Sequence, residues 1–187
     1  MRLTAPAARF AKRAVSLRAS ILRVLPLALV FLPGCSRSDT PSVLGAPHRE
    51  RFSAVSSVLE RRCGGLDCHG EPARNLRVYG RFGLRLDGRD VVGGAETTDA
   101  EVDATYESVI TVSPERLSRV TAARGADADG WLVLSKGRGR EAHVGGSRLV
   151  AGTPADDCVL SWLADSVDTA LCAEDDFGPA PRAGETW

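Results

Sequence analysis

Apolar residues recur at helical spacing in four stretches of the chain. From Glu50 to Arg62, Phe52, Val55, Val58 and Leu59 share one face, which predicts an amphipathic helix. From Asp99 to Val112 a stripe of Val102, Tyr106, Val109 and Ile110 predicts a second helix. Asp99 is placed to cap it, and Glu101 and Asp103 suit the positive end of its dipole. Ser113-Pro114-Glu115 opens a shorter helix carrying Leu117 and Val120, with Pro in the first turn, where its missing N–H is not needed. A last helix starts with Thr153 as N-cap, Pro154 as the first helical residue and Asp156 three positions after the cap. It carries Val159, Leu160, Trp162 and Leu163, with Trp162 expected in the core against the first helix. Trp131-Leu132-Val133-Leu134 is an unbroken apolar run, expected to be extended or strand-like. Residues 84–98 show no helical period and predict a short hairpin or an irregular loop. The expected class is mainly α, with three to five helices around one core and long irregular loops.

The N-terminal segment follows a different pattern. Residues 1–20 are basic and rich in Ala, and Ile21 to Leu32 is an apolar run. That run falls short of the roughly 20 apolar residues a membrane span needs. A basic start and a short apolar run describe a secretory signal. Its end, Leu32-Pro33-Gly34-Cys35, resembles the lipobox of bacterial lipoproteins. The resemblance implies removal of residues 1–34 and a lipid on Cys35, which would tie the protein to a membrane of the cell envelope, facing the periplasm or the exterior. An ordinary signal peptide, with Cys35 left as a thiol, is the alternative. Residues 35–49 are polar, contain Pro41 and Pro47, and are expected to form a flexible tether. Residues 50–173 form the expected folded domain, and 174–187 an acidic, then Pro- and Gly-rich tail.

Charge sharpens the division. The chain of 187 residues has 24 basic and 24 acidic side chains, yet six of the bases and none of the acids lie in residues 1–34. The remainder is net −6. An acidic body is a poor match for phosphate backbones, so nucleic acid is not an expected partner.

The five cysteines are at 35, 63, 68, 158 and 172. In an exported protein unassigned thiols seldom stay free. With Cys35 assigned to lipid, two sequence-local pairs remain. Cys158 and Cys172 are expected to form a disulfide, on one geometric condition. An unbroken helix over 14 residues would hold the two Cα atoms about 21 Å apart, whereas a disulfide needs less than about 7 Å. The last helix must therefore stop near Ala164-Asp165-Ser166 and the chain must double back through Val167 to Leu171.

The other pair stands in Cys63-Gly64-Gly65-Leu66-Asp67-Cys68-His69-Gly70, four residues between the cysteines and a histidine directly after the second. In c-type haem attachment two thiols add to the haem vinyl groups, and the adjacent His binds the iron. The usual spacing has two intervening residues. Gly64 and Gly65 are expected to let the wider loop adopt positive φ, and Gly70 to let the chain leave the crowded haem edge. Two other readings stay open: a local Cys63–Cys68 disulfide with His69 a bystander, and zinc held by both cysteines with His69 and His143.

The segment Cys63 to Gly70, with Arg74-Asn75-Leu76-Arg77-Val78-Tyr79-Gly80, Gly83-Leu84-Arg85-Leu86, Ala142-His143-Val144-Gly145-Gly146 and Cys158-Val159-Leu160-Ser161-Trp162-Leu163, resembles a group of bacterial cytochrome c-like lipoproteins. The resemblance covers residues 55–172. It implies a small helical cytochrome c-like domain with covalent haem c and an electron-carrying role, with a redox partner protein that the sequence does not identify.

For the second face of the iron, Met ligation is not expected, because the chain's single Met is Met1. His143 lies 74 residues after His69, in a Gly-rich segment before the last helix. It is the expected distal ligand, with His48 and Lys136 as the other candidates. No catalytic triad, phosphate loop or paired-carboxylate pattern stands out. The expectation is an electron carrier. The alternatives are a haem-free structural or binding lipoprotein with a disulfide-stapled cytochrome-like fold, and a haem sensor or enzyme with an open sixth site.

Overall fold

The structure, a computed structural model, describes residues 45–174. The signal segment, Cys35, most of the tether and the tail beyond Glu174 lie outside the described residues. Among those described, the protein is a mainly α-helical domain of six helices with no β-strand. They are α1 (Phe52–Cys63), α2 (Asp99–Thr111), α3 (Pro114–Ala122), α4 (Leu132–Gly137), α5 (Pro154–Leu163) and α6 (Thr169–Ala173), with short 3-10 turns at Arg49–Arg51 and Ala128–Gly130. No described helix is long and apolar enough to cross a membrane.

Helix α1 is the hub and packs against α2, α5 and α6. Its predicted face is fully used: Phe52, Val55, Val58 and Leu59 are all buried. Phe52 lies 5.0 Å from the ring of Trp162 and 5.4 Å from that of Tyr106, so α5 and α2 close on α1 through aromatic contacts. The same aromatics anchor the entering chain. The Tyr106 hydroxyl donates to the Pro47 carbonyl (2.9 Å), and Trp162 Nε1 donates to that of His48 (3.2 Å). The last residues of the expected tether are thus part of the folded body.

Three local expectations are corrected. The run Trp131–Leu134 is not a strand: Trp131 alone is extended, and Leu132 starts α4. Trp131, Val133, Leu134 and Ser135 are all buried, so this short helix is enclosed on several sides and shows no amphipathic period. The cap of α2 is Thr98 rather than Asp99. Thr98 and Glu101 form a reciprocal capping box, which places Asp99 as the first helical residue. At α5, Thr153 occupies the N-cap position without capping through its side chain, and its hydroxyl donates to Val150. Asp156 instead accepts two bonds from Arg138, at 2.7 and 2.8 Å, and one from the Gly152 N–H.

The chain turns after α5 as the disulfide requires. Helix α5 ends at Leu163, Asp165 takes a left-handed conformation (φ 59°), and α6 runs back from an Asp168 cap. Cys158 and Cys172 are bonded, with Cα atoms 5.0 Å apart.

Between α1 and α2 lie 35 residues without a helix. Of the two expectations for residues 84–98, the irregular loop is found, and a single isolated bridge joins Tyr79 to Leu84. Two buried carboxylates organise this segment. Glu60 accepts from the Phe82 N–H (3.1 Å) and the Thr97 hydroxyl (2.7 Å). Glu101, 1% exposed, accepts from Arg85 at 2.7 and 3.1 Å and from the Leu86 N–H.

Candidate functional site

Helix α1 delivers Cys63 at its C-terminal end, where Gly64 stops it. The following loop is closed by its own backbone. The His69 N–H donates to the Cys63 carbonyl (2.9 Å), and the Cys68 and Gly70 N–H groups both donate to that of Gly65 (2.9 and 3.0 Å). Arg74 reaches back, donating to the Cys68 carbonyl at 3.1 Å and the Asp67 carbonyl at 3.4 Å. The wide Cys-x4-Cys spacing is therefore a compact turn.

Gly64 and Gly65 do not adopt the positive φ expected of them, and Gly64 and Gly70 are instead closely packed against backbone. A Cβ on Gly70 would stand 2.0 Å from the Gly64 carbonyl oxygen, and one on Gly83 would stand 1.8 Å from the same atom. Three backbones meet there with no room for a side chain. Gly146, in the opposite loop, does use positive φ (67°).

The fold brings His143 to His69. Their rings lie 5.7 Å apart between centroids and 16° from parallel. Each ring is also oriented by a carbonyl. His69 Nδ1 is 3.0 Å from the Leu76 oxygen, and His143 Nδ1 is 3.2 Å from the Gly146 oxygen. A carbonyl only accepts, so in each ring Nδ1 is the donor. This is the tautomer and the outer support that metal-bound histidines use. Burial pushes the His69 pKa down, which also favours the neutral, ligating form.

The other candidates stand elsewhere or play lesser parts. His48 is beyond the N-terminal end of α1, within 4 Å of Glu50 and Asp165, and lines no cleft near His69. Lys136 lines the clefts beside His69, with its ammonium donating to the Ala142 carbonyl (2.9 Å).

Cys63 and Cys68 carry thiols not bonded to each other. Burial, with Cys68 nearby, pushes Cys63 up to about 12. Burial and then the Asp67 carboxylate raise Cys68. Both sulfurs are held as S–H at neutral pH. The local Cys63–Cys68 disulfide that the sequence left open is not formed. Among the described residues, moreover, no three His, Cys, Asp or Glu side chains come together to hold a metal ion by themselves.

Two clefts meet at the histidine pair. One, of about 350 Å³, includes Asp67 and Cys68; the other, of about 290 Å³, includes Cys63 and an apolar wall of Leu76, Val112, Leu132 and Val133. Both are shared by His69, His143, Arg74, Lys136 and Arg148. They stand at the lower bound of small-molecule and cofactor sites, about 300–1,000 Å³. A porphyrin brings four nitrogens of its own and asks the protein for one or two axial ligands, an apolar wall and nearby thiols. The residues present fit that group. Sequence reasoning singled out the cysteines and histidines but missed Arg148, whose only signal in the sequence is its place after the Gly-rich His143 segment.

Comparison with known proteins brings no relative to this geometry: no family model matches the sequence, and no curated protein and no solved structure matches the chain.

Proposed function

We propose that this protein is a c-type cytochrome with a cytochrome c-like helical domain, anchored to an envelope membrane by a lipid on Cys35, that passes electrons to a partner protein. One observation carries the reading. His69 and His143 face one another with both Nδ1 protons committed to backbone carbonyls, beside two thiols that are not bridged. When bound, the haem supplies a one-electron iron couple. The protein's own groups do the rest. Cys63 and Cys68 would hold the haem covalently through thioether bonds, an attachment that consumes no oxidant. His69, held in place by the Leu76 carbonyl, and His143 would hold the iron through Nε2. With both histidines engaged, no coordination site would be left for a substrate, which favours electron carriage over catalysis.

The test is production of the protein with c-type maturation machinery, then a haem stain of a denaturing gel. Stain that survives denaturation and acid acetone is the expected result. Cys63→Ala should leave a weaker, singly attached product, and Cys68→Ala or His69→Ala should lose more. Protein that never takes haem would overturn the proposal in favour of a haem-free, disulfide-stapled lipoprotein. A spectrum that shifts under carbon monoxide would mark an open sixth site, and with it a sensor or enzyme.

A further inference from the structure

We propose that Arg148, flanked by Lys136 and Arg74, forms a subsite for a carboxylate in the cleft at the His69–His143 pair. Three cations line both clefts, and the one acid beside them, Asp67, reaches only the larger. Their hydrogen bonds go to backbone carbonyls: Arg74 to Cys68 and Asp67, Lys136 to Ala142, and Arg148 Nε to Gly145 at 2.7 Å. Arg148 Nη1 is buried and has no acceptor at all. Two other enclosed guanidinium groups are matched by carboxylates instead. Arg85 is matched by Glu101 and Asp90, and Arg138 by Asp156 and Asp129. A guanidinium N–H removed from water without an acceptor is costly, and its planar fork matches a carboxylate. Facing these cations is the apolar wall of the smaller cleft. The combination fits a ligand with an apolar body and an acidic end.

The charge inventory is independent of what fills the cleft, although one source of the carboxylate, a haem propionate, rests on the cytochrome reading; the other is a free organic acid. The experiment uses the full chain made with and without c-type maturation. In the haem-loaded protein, Arg148→Gln should shift the midpoint potential negative, because a cation that favours the added electron is gone. Arg148→Lys should restore most of the wild-type value. Arg119→Gln, the same charge change on the exposed face of α3, should move it far less. In the haem-free protein, succinate should raise the unfolding temperature above that in sodium chloride of equal ionic strength, and Arg148→Gln should lose the rise. Lys136→Gln removes a second cation from the same cleft and repeats both readouts with Arg148 intact. A potential shift assigns the carboxylate to the haem. A succinate response in protein that never takes haem assigns it to a free acid and preserves the subsite while the cytochrome reading falls. If Arg148→Gln and Lys136→Gln behave as Arg119→Gln does in both measurements, the subsite is overturned, whether or not haem is bound.

Discussion

Replacing Gly83 by Ala tests the link between the long α1–α2 segment and the Cys-His loop. The added methyl would lie 1.8 Å from the Gly64 carbonyl oxygen and 3.1 Å from the Gly70 Cα. Attractive contact begins near 3.5 Å, so one backbone must retreat by more than about 1 Å. The obstacle is main chain, with no side chain to swing aside. Overpacking of this kind costs about 1–3 kcal/mol, and the upper end is expected here. With a urea dependence of about 1–3 kcal/mol per molar, the unfolding midpoint should fall by about 1 M or more. Two glycines of the same segment separate the causes. Gly88 has nothing within 4 Å of an added Cβ and no positive φ, so Gly88→Ala should be neutral or stabilising by about 0.4–1 kcal/mol through the unfolded chain. Gly93 has open space but φ +79°, so Gly93→Ala isolates backbone strain, about 1–2 kcal/mol. Urea unfolding of the three haem-free variants gives the order. Haem yield on maturation should fall only for Gly83→Ala, because the residue it displaces adjoins Cys63. Equal midpoints for Gly83→Ala and Gly88→Ala would refute the claim that this backbone crossing fixes the loop.

The parts of the fold that were legible in the sequence are those with one wet and one dry face. Phe52, Val55, Val58 and Leu59 gave α1 away because Ser53, Ser57, Arg61 and Arg62 mark the other side. Pro114 and Pro154 marked the starts of α3 and α5, because proline has a distinctive place in a first turn. Helix α4 was hidden because burial on several sides erases the period. The disulfide followed from counting cysteines and from the turn residues between them. The meeting of His69 with His143 is tertiary, and spacing of 74 residues could suggest it but not supply it. The glycines of the motif were read for the wrong reason. Sequence shows that a side chain is missing, while only packing shows that Gly70 and Gly83 both press on the Gly64 carbonyl. Arg148 was invisible because an unpaired cation is recognised by the acids that are not near it.

Three further outcomes follow from the same contacts. Glu101→Gln should cost about 3–5 kcal/mol, since it leaves Arg85 enclosed with only Asp90 at 3.4 Å for a charged partner; the double variant with Arg85→Met should recover part of the loss. Burial pushes the Glu101 carboxyl up, but Arg85, the Thr98 and Leu86 N–H groups and the Thr98 hydroxyl outweigh it and hold it below the usual range. Its contribution is therefore complete above the unfolded value near 4.5 and is lost as pH falls through the lower folded value, a slope that Glu101→Gln should abolish in pH-dependent unfolding. Removing both Cys158 and Cys172 as Ser should cost about 3 kcal/mol for the loop of about 15 residues they close, and dithiothreitol should lower the wild-type unfolding free energy by the same amount. The last outcome concerns the distal ligand, where His143→Ala and His48→Ala form a pair. His48 and the cleft are at opposite ends of α1, whose 12 residues span about 18 Å. Exchange of one for the other would require unpacking the aromatic contacts of Phe52, Tyr106 and Trp162. His48→Ala should leave the low-spin spectrum unchanged. His143→Ala should open the sixth site to carbon monoxide, unless Lys136 moves in from the same cleft, a substitution that would itself be pH-dependent and that the double variant with Lys136→Gln removes. A low-spin spectrum that survives in that double variant would show that neither cleft residue binds the iron, and the facing imidazoles would then be a packing contact alone.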